Sequence, residues 1–339
     1  SWWTTRGITS SKVLFNLLFV KVEESSIEKS KIFLFYRMMN TSISKRYKQQ
    51  FEQDLNGFAQ NLKSIISLDN GEWSIKGFID ACKNIYTISS DTKIVSKILE
   101  IHLFPLIVSF SRKIGYKLIL AEKQNWYPDL TFINEENEQV KFAVDIKTTF
   151  RRNSKTAGFT LGSHGAYFRE RDKKKNIQIP YNQYSGHFCL GIIYTRMDAP
   201  ETEIYQVKEL KRNNIDREES FSEAPGKTVS LLKDITSVIK DFDIFAVEKW
   251  KIASDKQGSG NTANIGSVCD IEDLKNGNGV FSKLGESWFD DYWSNYGVAQ
   301  IKENGKYIPV RCIKDFLKMR GRDDLLSKVN KKFMKGSLE

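Results

Sequence analysis

The sequence predicts an α/β (α+β) fold in which a central mixed sheet is flanked by helices. Two observations lead to this prediction. Apolar residues recur at helical spacing between about residues 47 and 105, and from residue 130 onward they cluster in short β-rich runs. The chain has 339 residues, 40% of them hydrophobic and 12% aromatic, so it is long enough to bury a substantial core.

Two amphipathic helices are predicted before the strands. The first covers about Tyr47–Ser67 and presents an apolar face that can pack on a core or on a second subunit. Its apolar positions are Phe51, Leu55, Phe58, Leu62 and Ile65. The second follows Ser90-Asp91, a good N-cap, and runs towards Pro105, where we expect it to kink or end. Its apolar positions are Ile94, Ile98 and Ile101.

Further along the chain the pattern changes to that of strands. The predicted strands are Leu130–Ile133, Val140–Phe150, Phe188–Thr195 and Ile244–Ile252. The first two form a hairpin through the polar turn at 134–138. Residues 197–228 are polar and carry two prolines, which suggests a long surface connection. A basic segment follows Pro309, and we expect it to be helical.

Residues 1–38 are expected to be a non-native or disordered extension. The first methionines are Met38 and Met39, which suggests that the preceding residues are upstream reading frame. The apolar run at 13–20 follows basic residues as a signal peptide would, but it lacks a small-residue cleavage site. No apolar stretch is long enough to cross a bilayer, so we expect no membrane partner.

Charge and cysteine content narrow the function classes. Lys and Arg outnumber Asp and Glu by 52 to 42, which favours a polyanionic partner, although a basic soluble enzyme would have the same composition. The four cysteines and three histidines show no metal-ligand spacing, so we expect a reduced cytoplasmic protein without structural zinc. The Gly-rich segment Gly258–Gly266 is not a Walker or dinucleotide-binding loop, because it contains no GK[ST] or helix-opening GxGxxG, and we expect no nucleotide cofactor.

The predicted hairpin brings together three side chains that can do chemistry. Because side chains alternate along a strand, Asp145 and Lys147 project from the same face, about 6.6 Å apart. Folding the hairpin about residues 136–137 puts Asp129 directly or diagonally opposite Asp145, with Cβ atoms roughly 5 to 8 Å apart. The alternative is that Asp145-Ile146-Lys147 is an ordinary solvent-facing strand edge and Pro128-Asp129 an ordinary turn.

Two carboxylates at this separation repel each other unless a cation lies between them. Mg²⁺ prefers one or two carboxylates, several waters and a substrate phosphate oxygen as ligands. Such an ion polarises a phosphoryl group and lowers the pKa of a bound water. Lys147 can orient or help to deprotonate that water, or neutralise the developing charge. The arrangement therefore predicts Mg²⁺-dependent hydrolysis of a phosphodiester.

Two further segments point to nucleic acid. Residues 147–175 contain nine basic residues and only two acidic ones, Glu170 and Asp172. Phosphate contacts need such a basic patch, although a run of charged residues is more often ordinary solvated surface. The nine basic residues are Lys147, Arg151, Arg152, Lys155, Arg169, Arg171, Lys173, Lys174 and Lys175. The Gly-rich segment Gly258–Gly266 is either a flexible surface loop or a major-groove reader, since Asn can bond an adenine and a Thr methyl can contact thymine.

In these motifs the chain resembles the EcoRV-like type II restriction endonucleases, members of the Pro-Asp…(Asp/Glu)-x-Lys nuclease superfamily. The similarity runs from about Ser89 to Tyr296, with a gap at 200–245. The segments that carry it are Ser90–Lys93, Gln124-Asn125, Tyr127–Asp129, Asp145–Thr149, Phe159–Gly162, Tyr194–Arg196, Gly258–Ser267 and Asp291–Trp293. Matches in this number and order are far more specific than any single motif.

The resemblance implies a restriction-endonuclease-like core with DNA-recognition loops, working as a homodimer that clasps double-stranded DNA in a prokaryotic cytoplasm. The implied catalytic residues are Asp129, Asp145, Lys147 and Glu100, and the implied Mg²⁺ ligands are Asp129, Asp145 and Glu100. The implied major-groove loop contains Gly258, Gly260, Asn261 and Thr262, and the implied minor-groove loop Gln124 and Asn125. Further implied DNA contacts are Thr92, Thr148 and Lys175.

The resemblance also suggests a target and a division of the chain. The close match of the Gly-rich loop suggests GATATC, cut bluntly at its centre. Lys123 and Trp126 stand where the family has Gln and His, so the flanking preference can differ.

Residues 39–300 would form the catalytic and DNA-recognition domain. Its parts would be a helical dimerisation part at about 45–90, a nuclease core at about 90–196, a connection at 197–243 and a recognition part at 244–300. A basic C-terminal segment, 301–339, would follow.

Three alternatives to this function remain open from the sequence. The first is another nuclease of the same superfamily, acting in repair or junction resolution. The second is a non-catalytic DNA-binding dimer. The third is a basic structural protein in which the Asp-x-Lys triplet at Asp145 is coincidental.

Overall fold

The protein is described by a computed structural model covering residues 26–82, 84–123, 125–197, 204–207, 227–229, 235–258, 263–303, 305–329 and 331–333. The chain divides into two compact units, Ser1–Gln50 and Phe51–Glu339. The described part of the first unit is helical. All side-chain contacts discussed below lie within the second unit.

The described residues contain five α-helices and four short 3-10 helices. The α-helices are α1 (Ser26–Ile66), α2 (Thr92–Lys113), α3 (Ile271–Asn276), α4 (Glu286–Asn295) and α5 (Ile313–Met319). The 3-10 helices are Tyr181–Gln183, Lys249–Lys251, Asp323–Lys328 and Lys331–Phe333.

The strands of the described residues alternate with these helices along the chain. They are β1 (Gly77–Ile79), β2 (Asn84–Thr87), β3 (Tyr116–Leu120), β4 (Leu130–Asn134), β5 (Lys141–Arg152), β6 (Lys155–Thr156), β7 (Thr160–Ser163), β8 (Gly186–Arg196), β9 (Ile204–Val207), β10 (Lys227–Val229), β11 (Ile239–Glu248), β12 (Ala253–Gln257), β13 (Asn264–Ser267), β14 (Gln300–Glu303) and β15 (Lys306–Pro309).

The central sheet has the strand order β11-β8-β5-β4-β3, and β6 pairs with the C-terminal end of β5 at Arg151 and Arg152. Strands β5 and β8 run parallel, whereas the other neighbours in this order are antiparallel. The predicted mixed sheet is therefore confirmed. The described residues form three smaller sheets, with the orders β1-β2-β9-β10, β12-β13-β7 and β14-β15.

Helical elements cover both faces of the central sheet. On one face, Phe51 of α1 stacks on Phe142 of β5 with ring centroids 4.3 Å apart. On the other face, Ala143 belongs to a core that includes Phe289 of α4 and Phe316 of α5. Burial on both faces explains why β8 is a nearly continuous apolar run rather than an alternating one.

Helix α1 is longer than the sequence predicted. It begins at Ser26, so residues 26–38 are helical where we expected a non-native or disordered extension, and residues 1–25 lie outside the described residues. The segment lacks Gly and Pro, the residues that most disfavour a helix. The predicted apolar face is largely correct, but Ile65 is exposed and the adjacent Ile66 is buried in its place.

Helix α2 begins as predicted but does not end at Pro105. The carboxylate of Asp91 accepts hydrogen bonds from the backbone N–H groups of Lys93 and Ile94, which caps the helix. The helix continues through Pro105 to Lys113, because the buried residues Ile107 and Phe110 hold its last turns in the core. Of the three predicted apolar positions only Ile98 is buried, whereas Ile94 and Ile101 are exposed.

The composition of α2 also bears on the membrane prediction. Among the described residues, α2 is the one helix long and apolar enough to cross a membrane by length and composition, although the sequence was expected to contain no such stretch. A third of this apolar window is buried, and Val95, Leu99 and Leu103 are fully so. A helix that packs in the core of a folded domain needs such residues.

Two later segments carry more structure than expected. The connection at 197–243 contributes β9 and β10 to a sheet with β1 and β2. The strand predicted at 244–252 begins earlier, at Ile239, and ends at Glu248, where a 3-10 turn replaces its last residues. The basic C-terminal segment contains helix α5, as predicted, and inserts Ile313, Phe316 and Leu317 into the core.

Candidate active site

The hairpin of β4 and β5 places Asp129 opposite Asp145. Leu130 pairs with Val144 in the antiparallel register, so the residue before Leu130 faces the residue after Val144. Strand β5 lies in the middle of the sheet between β4 and β8, and Asp145 is only 7% exposed. Asp145 is therefore not on a solvent-facing strand edge, which was the alternative that the sequence left open.

Three hydrogen bonds fix the two carboxylates and the lysine. The backbone N–H of Asp129 donates to Oδ1 of Asp145 over 3.2 Å, and the backbone N–H of Ile146 donates to Oδ2 of Asp129 over 2.8 Å. Nζ of Lys147 lies 2.7 Å from Oδ2 of Asp145. The structure therefore brings together the three residues that the sequence predicted to project from one hairpin: Lys147 pairs with the Asp145 side chain, and Asp129 is tied to both strands through backbone N–H groups.

The electrostatics of this group show incomplete charge compensation. Burial and the neighbouring carboxylate of Asp145 raise the pKa of Asp129 to about 7, against the opposing influence of Lys147. Burial disfavours the charged form of Lys147, but Asp145 and Asp129 outweigh it and raise the pKa of Lys147 above its usual value. One ammonium is therefore not enough to keep Asp129 fully ionised at neutral pH.

Glu100 lies in the same pocket but outside this contact group. A pocket of about 700 Å³ is lined by Glu100 and Lys97 of α2 together with Asp129. The carboxylate of Glu100 pairs with Nζ of Lys97 at 2.5 Å, and it helps to raise the pKa of Asp129. Within the described ranges no three His, Cys, Asp or Glu residues are grouped so as to hold a metal ion.

The contact group nevertheless fits a hard divalent cation. Its donors are carboxylate oxygens, which Mg²⁺ prefers, and it contains no thiolate or imidazole in contact. The raised pKa of Asp129 marks a place where positive charge is lacking. A cation held there by Asp129 and Asp145 would supply the missing charge.

The basic stretch at 147–175 divides into internal and exposed residues. Arg151 pairs with Asp243, Arg171 pairs with Asp290, and Arg169 donates to the carbonyl oxygens of Ser294 and Tyr296. These arginines hold the fold together, so the predicted phosphate-binding patch is smaller than the charge count suggested. The exposed basic residues in contact with none of these partners are Arg152, Lys155, Lys173, Lys174 and Lys175.

The predicted DNA contacts are spread over several elements. Thr92 and Asn125 line the pocket that contains Asp129. Thr148 lies on the opposite face of β5 from Lys147, and its hydroxyl bonds that of Ser96 on α2. Lys175 is exposed. Four predicted contacts, Gln124, Gly260, Asn261 and Thr262, lie outside the described residues.

The base of the Gly-rich segment is tightly packed. A Cβ atom at Gly258 would lie 2.8 Å from Cγ2 of Thr160 on β7, and one at Gly266 would lie 2.5 Å from the carbonyl oxygen of Lys256. Strands β12 and β13 can therefore approach each other and β7 only with glycine at these positions. The residues on either side of 259–262 thus form a closely packed base.

Sequence reasoning missed Lys249, a charged residue buried behind the site. In the polar stretch Glu248–Lys251 it resembles a surface lysine, yet it is only 3% exposed. Burial lowers the pKa of Lys249 to about 7, against the attraction of Asp145. No periodicity in the sequence distinguishes the buried Lys249 from Lys251, which is only partly buried.

Comparison with known proteins gives two matches. The family model described as restriction endonuclease EcoRV matches residues 69–221 and 215–321. The type II restriction enzyme EcoRV of Escherichia coli is 34% identical over 256 residues, which cover 75% of this chain and 94% of that relative. The matched ranges include the hairpin with Asp129, Asp145 and Lys147 as well as the Gly-rich segment.

Proposed function

The chain belongs to the EcoRV family of type II restriction endonucleases, and on that premise we propose that Asp129, Asp145 and Lys147 form its Mg²⁺-dependent active site. The observation that carries the proposal is the position of Asp129 opposite Asp145 on neighbouring segments of the central sheet, with Nζ of Lys147 2.7 Å from the Asp145 carboxylate. Such a group suits hydrolysis of a phosphodiester in double-stranded DNA.

Each residue of the group has a distinct task. Asp129 and Asp145 would hold the Mg²⁺ ion, which supplies Lewis acid chemistry to the phosphate and lowers the pKa of a bound water. Lys147, kept protonated by Asp145, orients the attacking water and stabilises the negative charge that develops on the phosphate oxygens.

Glu100 has an accessory role in this proposal. It faces the same pocket as Asp129 from α2, one helical turn after Lys97, and its pairing with Lys97 keeps it away from the two aspartates. A rotation about its side-chain bonds that breaks this ion pair would bring a third carboxylate towards Mg²⁺. An exposed ion pair of this kind is weak, with a stabilisation of about 0–1 kcal/mol.

The target and assembly follow from the family resemblance. We propose that two copies of the chain form a homodimer that binds the palindrome GATATC, because a two-fold symmetric protein matches a two-fold symmetric site. Gly258, Gly260, Asn261 and Thr262 would read the major groove, and Gln124 and Asn125 the minor groove. Thr92, Thr148 and Lys175 would support these contacts. The enzyme would act in a bacterial cytoplasm.

Digestion of a plasmid with a single GATATC site tests the proposal. With Mg²⁺ we expect one linear product whose sequenced ends are blunt and lie at the centre of the site, and with EDTA no product. A discrete product cut at another sequence would refute the proposed target but not the family activity. A smear would indicate a nuclease with another task. Intact plasmid that is still bound by the protein would indicate a non-catalytic DNA-binding dimer.

A further inference from the structure

Lys249 is a buried amine without a hydrogen-bond partner. It is 3% exposed, and within the described ranges no hydrogen-bond acceptor reaches its Nζ. Burying such a group is unfavourable unless its surroundings compensate for the lost water. A methionine or leucine would fill the same volume without that cost, so a lysine at this position requires an explanation.

Aromatic rings surround the amine. Nζ of Lys249 lies 4.6 Å from the ring centroid of Tyr127, 5.4 Å from that of Tyr181 and 5.7 Å from that of Phe168. The face of an aromatic ring attracts an ammonium group, and the attraction is stronger where water is excluded. The Tyr127 ring is itself held in place by stacking on Tyr167, with centroids 5.1 Å apart.

The shortest of these contacts leads directly to the active site. Tyr127 is two residues before Asp129 in the sequence. The hydroxyl of Tyr127 forms a hydrogen bond with Nδ1 of His187, and the ring of Tyr127 faces Nζ of Lys249, so both the hydroxyl and the ring have a fixed neighbour. The Lys249 ammonium is also attracted by Asp145. Lys249 therefore contacts the segment that carries one predicted Mg²⁺ ligand and interacts electrostatically with the other.

The backbone of Lys249 belongs to the other functional part of the chain. Lys249 begins the 3-10 turn that joins β11 to β12, and β12 leads into the Gly-rich loop. A Cβ atom at Gly162 of β7 would lie 3.6 Å from Nζ of Lys249. Strand β7 pairs with β13, on which the same loop ends. Lys249 is thus joined to one end of the Gly-rich loop through the backbone of β12, and its side chain lies beside β7, the strand that pairs with the other end.

We propose that Lys249 is a positioning residue that couples the base of the Gly-rich loop to the segment carrying Asp129. A displacement of β12 or β7 on the correct base sequence would be transmitted through the ammonium to the Tyr127 ring and on to Asp129. This inference rests on the proposed function, in which the loop reads DNA and Asp129 binds Mg²⁺.

Lys249→Met tests the coupling, because it keeps the length of the side chain and removes the charge. Lys251→Met is the matched control. Lys251 lies in the same turn and pairs with Glu52 and Glu248 rather than with Tyr127. Lys249→Arg keeps a cation that favours aromatic faces and serves as the rescue variant. Should Lys249→Met fail to fold, Lys249→Gln replaces it.

Two readouts separate coupling from a purely structural role. The first is Mn²⁺ binding to the protein, measured by electron paramagnetic resonance of the free ion. We expect Lys249→Met to weaken it about tenfold, as loss of an outer partner of a metal ligand does. The second is the ratio of single-turnover cleavage rates on GATATC and on a site with one changed base pair, which should fall by a similar factor. Lys251→Met should leave both unchanged, and Lys249→Arg should restore both at least in part.

The outcomes distinguish the inference from the proposed function. If Lys249→Met lowers the unfolding midpoint but binds Mn²⁺ and discriminates between sites as the wild type does, Lys249 is a core residue only and the inference is wrong. If the wild-type protein itself cleaves no DNA at a specific site, the proposed function fails. The Mn²⁺ comparison then still decides whether Lys249 positions Asp129.

Discussion

The carboxylate of Asp129 bears an electrostatic cost when no cation is bound. Its pKa in the folded protein is raised from 3.8 to about 7, so the folded state binds this proton more tightly than the unfolded state does. Between about pH 4 and pH 7 the folded state holds more protons, and its stability therefore falls as the pH rises through this window. The cost is complete above pH 7 and absent below pH 4.

The direction of this pH dependence of stability leads to a prediction for Asp129→Asn. In EDTA at pH 8 the variant should be more stable than the wild type by about 1–3 kcal/mol, because it removes a buried negative charge and the repulsion of that charge with Asp145. At pH 4 the two proteins should have similar stability. Urea denaturation at both pH values measures the difference. Equal stability at pH 8, or a difference that is larger at pH 4, would show that Asp129 is not strained by its neighbour.

The variants Asp145→Ala and Lys147→Ala should abolish cleavage while leaving a folded protein. Each removes a partner at the centre of the contact group, and the loss of one preorganised charge of this kind typically lowers kcat by about 10²–10³. Single-turnover cleavage rates measure the effect, and circular dichroism measures the fold. Lys117→Ala, at an exposed position on β3, is the control. Rates near those of the wild type in either active-site variant would contradict the assignment.

At the residue scale, the sequence predicted which side chains lie near each other better than it predicted how deeply they are buried. The alternation of side chains on β5 and the hairpin length placed Asp129, Asp145 and Lys147 together. Their burial depends on elements far away in the sequence, so it could not be read from the hairpin. Lys249 was missed for the same reason, because the rings that surround it come from three separate segments.

At the scale of elements, the base of the Gly-rich loop should resist substitution. Gly266→Ala places a Cβ atom 2.5 Å from the carbonyl oxygen of Lys256, a backbone atom that cannot rotate away. We expect a loss of stability of about 1–3 kcal/mol from the forced backbone shift, and slower cleavage of the cognate site. Thermal unfolding and cleavage rates measure the two effects.

The matched control for this substitution is Gly57→Ala in helix α1. A Cβ atom there has no heavy atom within 4 Å, and alanine is the better helix former, so this variant should gain about 0.5–1 kcal/mol. If Gly266→Ala were as stable as the wild type, the close approach of β12 and β13 would not need glycine.

The residues at which helices and strands begin and end were harder to predict than the presence of the helices and strands. Helix α2 was recognised from its cap at Asp91, but local rules placed a kink or an end at Pro105, because a proline removes one helical hydrogen bond. Burial of Ile107 and Phe110 against the sheet outweighs that loss. Strand β11 was misplaced by several residues, since its start at Ile239 is set by pairing with Arg196 on β8.

At the scale of the whole molecule, the exposed basic residues should govern the salt dependence of DNA binding. If Lys175 binds one phosphate, Lys175→Ala should reduce the slope of log K against log salt by about 0.9. Lys117→Ala should leave the slope unchanged. Fluorescence anisotropy with a GATATC duplex at several salt concentrations measures the slope. An equal slope in Lys175→Ala and the wild type would remove Lys175 from the DNA interface.

The mixed sheet with helices on both faces was predictable, because apolar periodicity and burial follow directly from the sequence. The extent of the phosphate-binding patch was not. Arg151, Arg169 and Arg171 look identical to DNA-binding arginines in the sequence, and their internal partners at residues 243 and 290–296 are distant along the chain. The number of basic residues alone therefore overestimated the size of the phosphate-binding patch.

The most direct test of the active-site assignment is an anomalous difference map from crystals of the DNA complex soaked with Mn²⁺. The account predicts a peak between the carboxylates of Asp129 and Asp145, with metal–oxygen distances of about 2.0–2.2 Å. A peak elsewhere, or none in crystals whose DNA is cleaved when the ion is added, would contradict it.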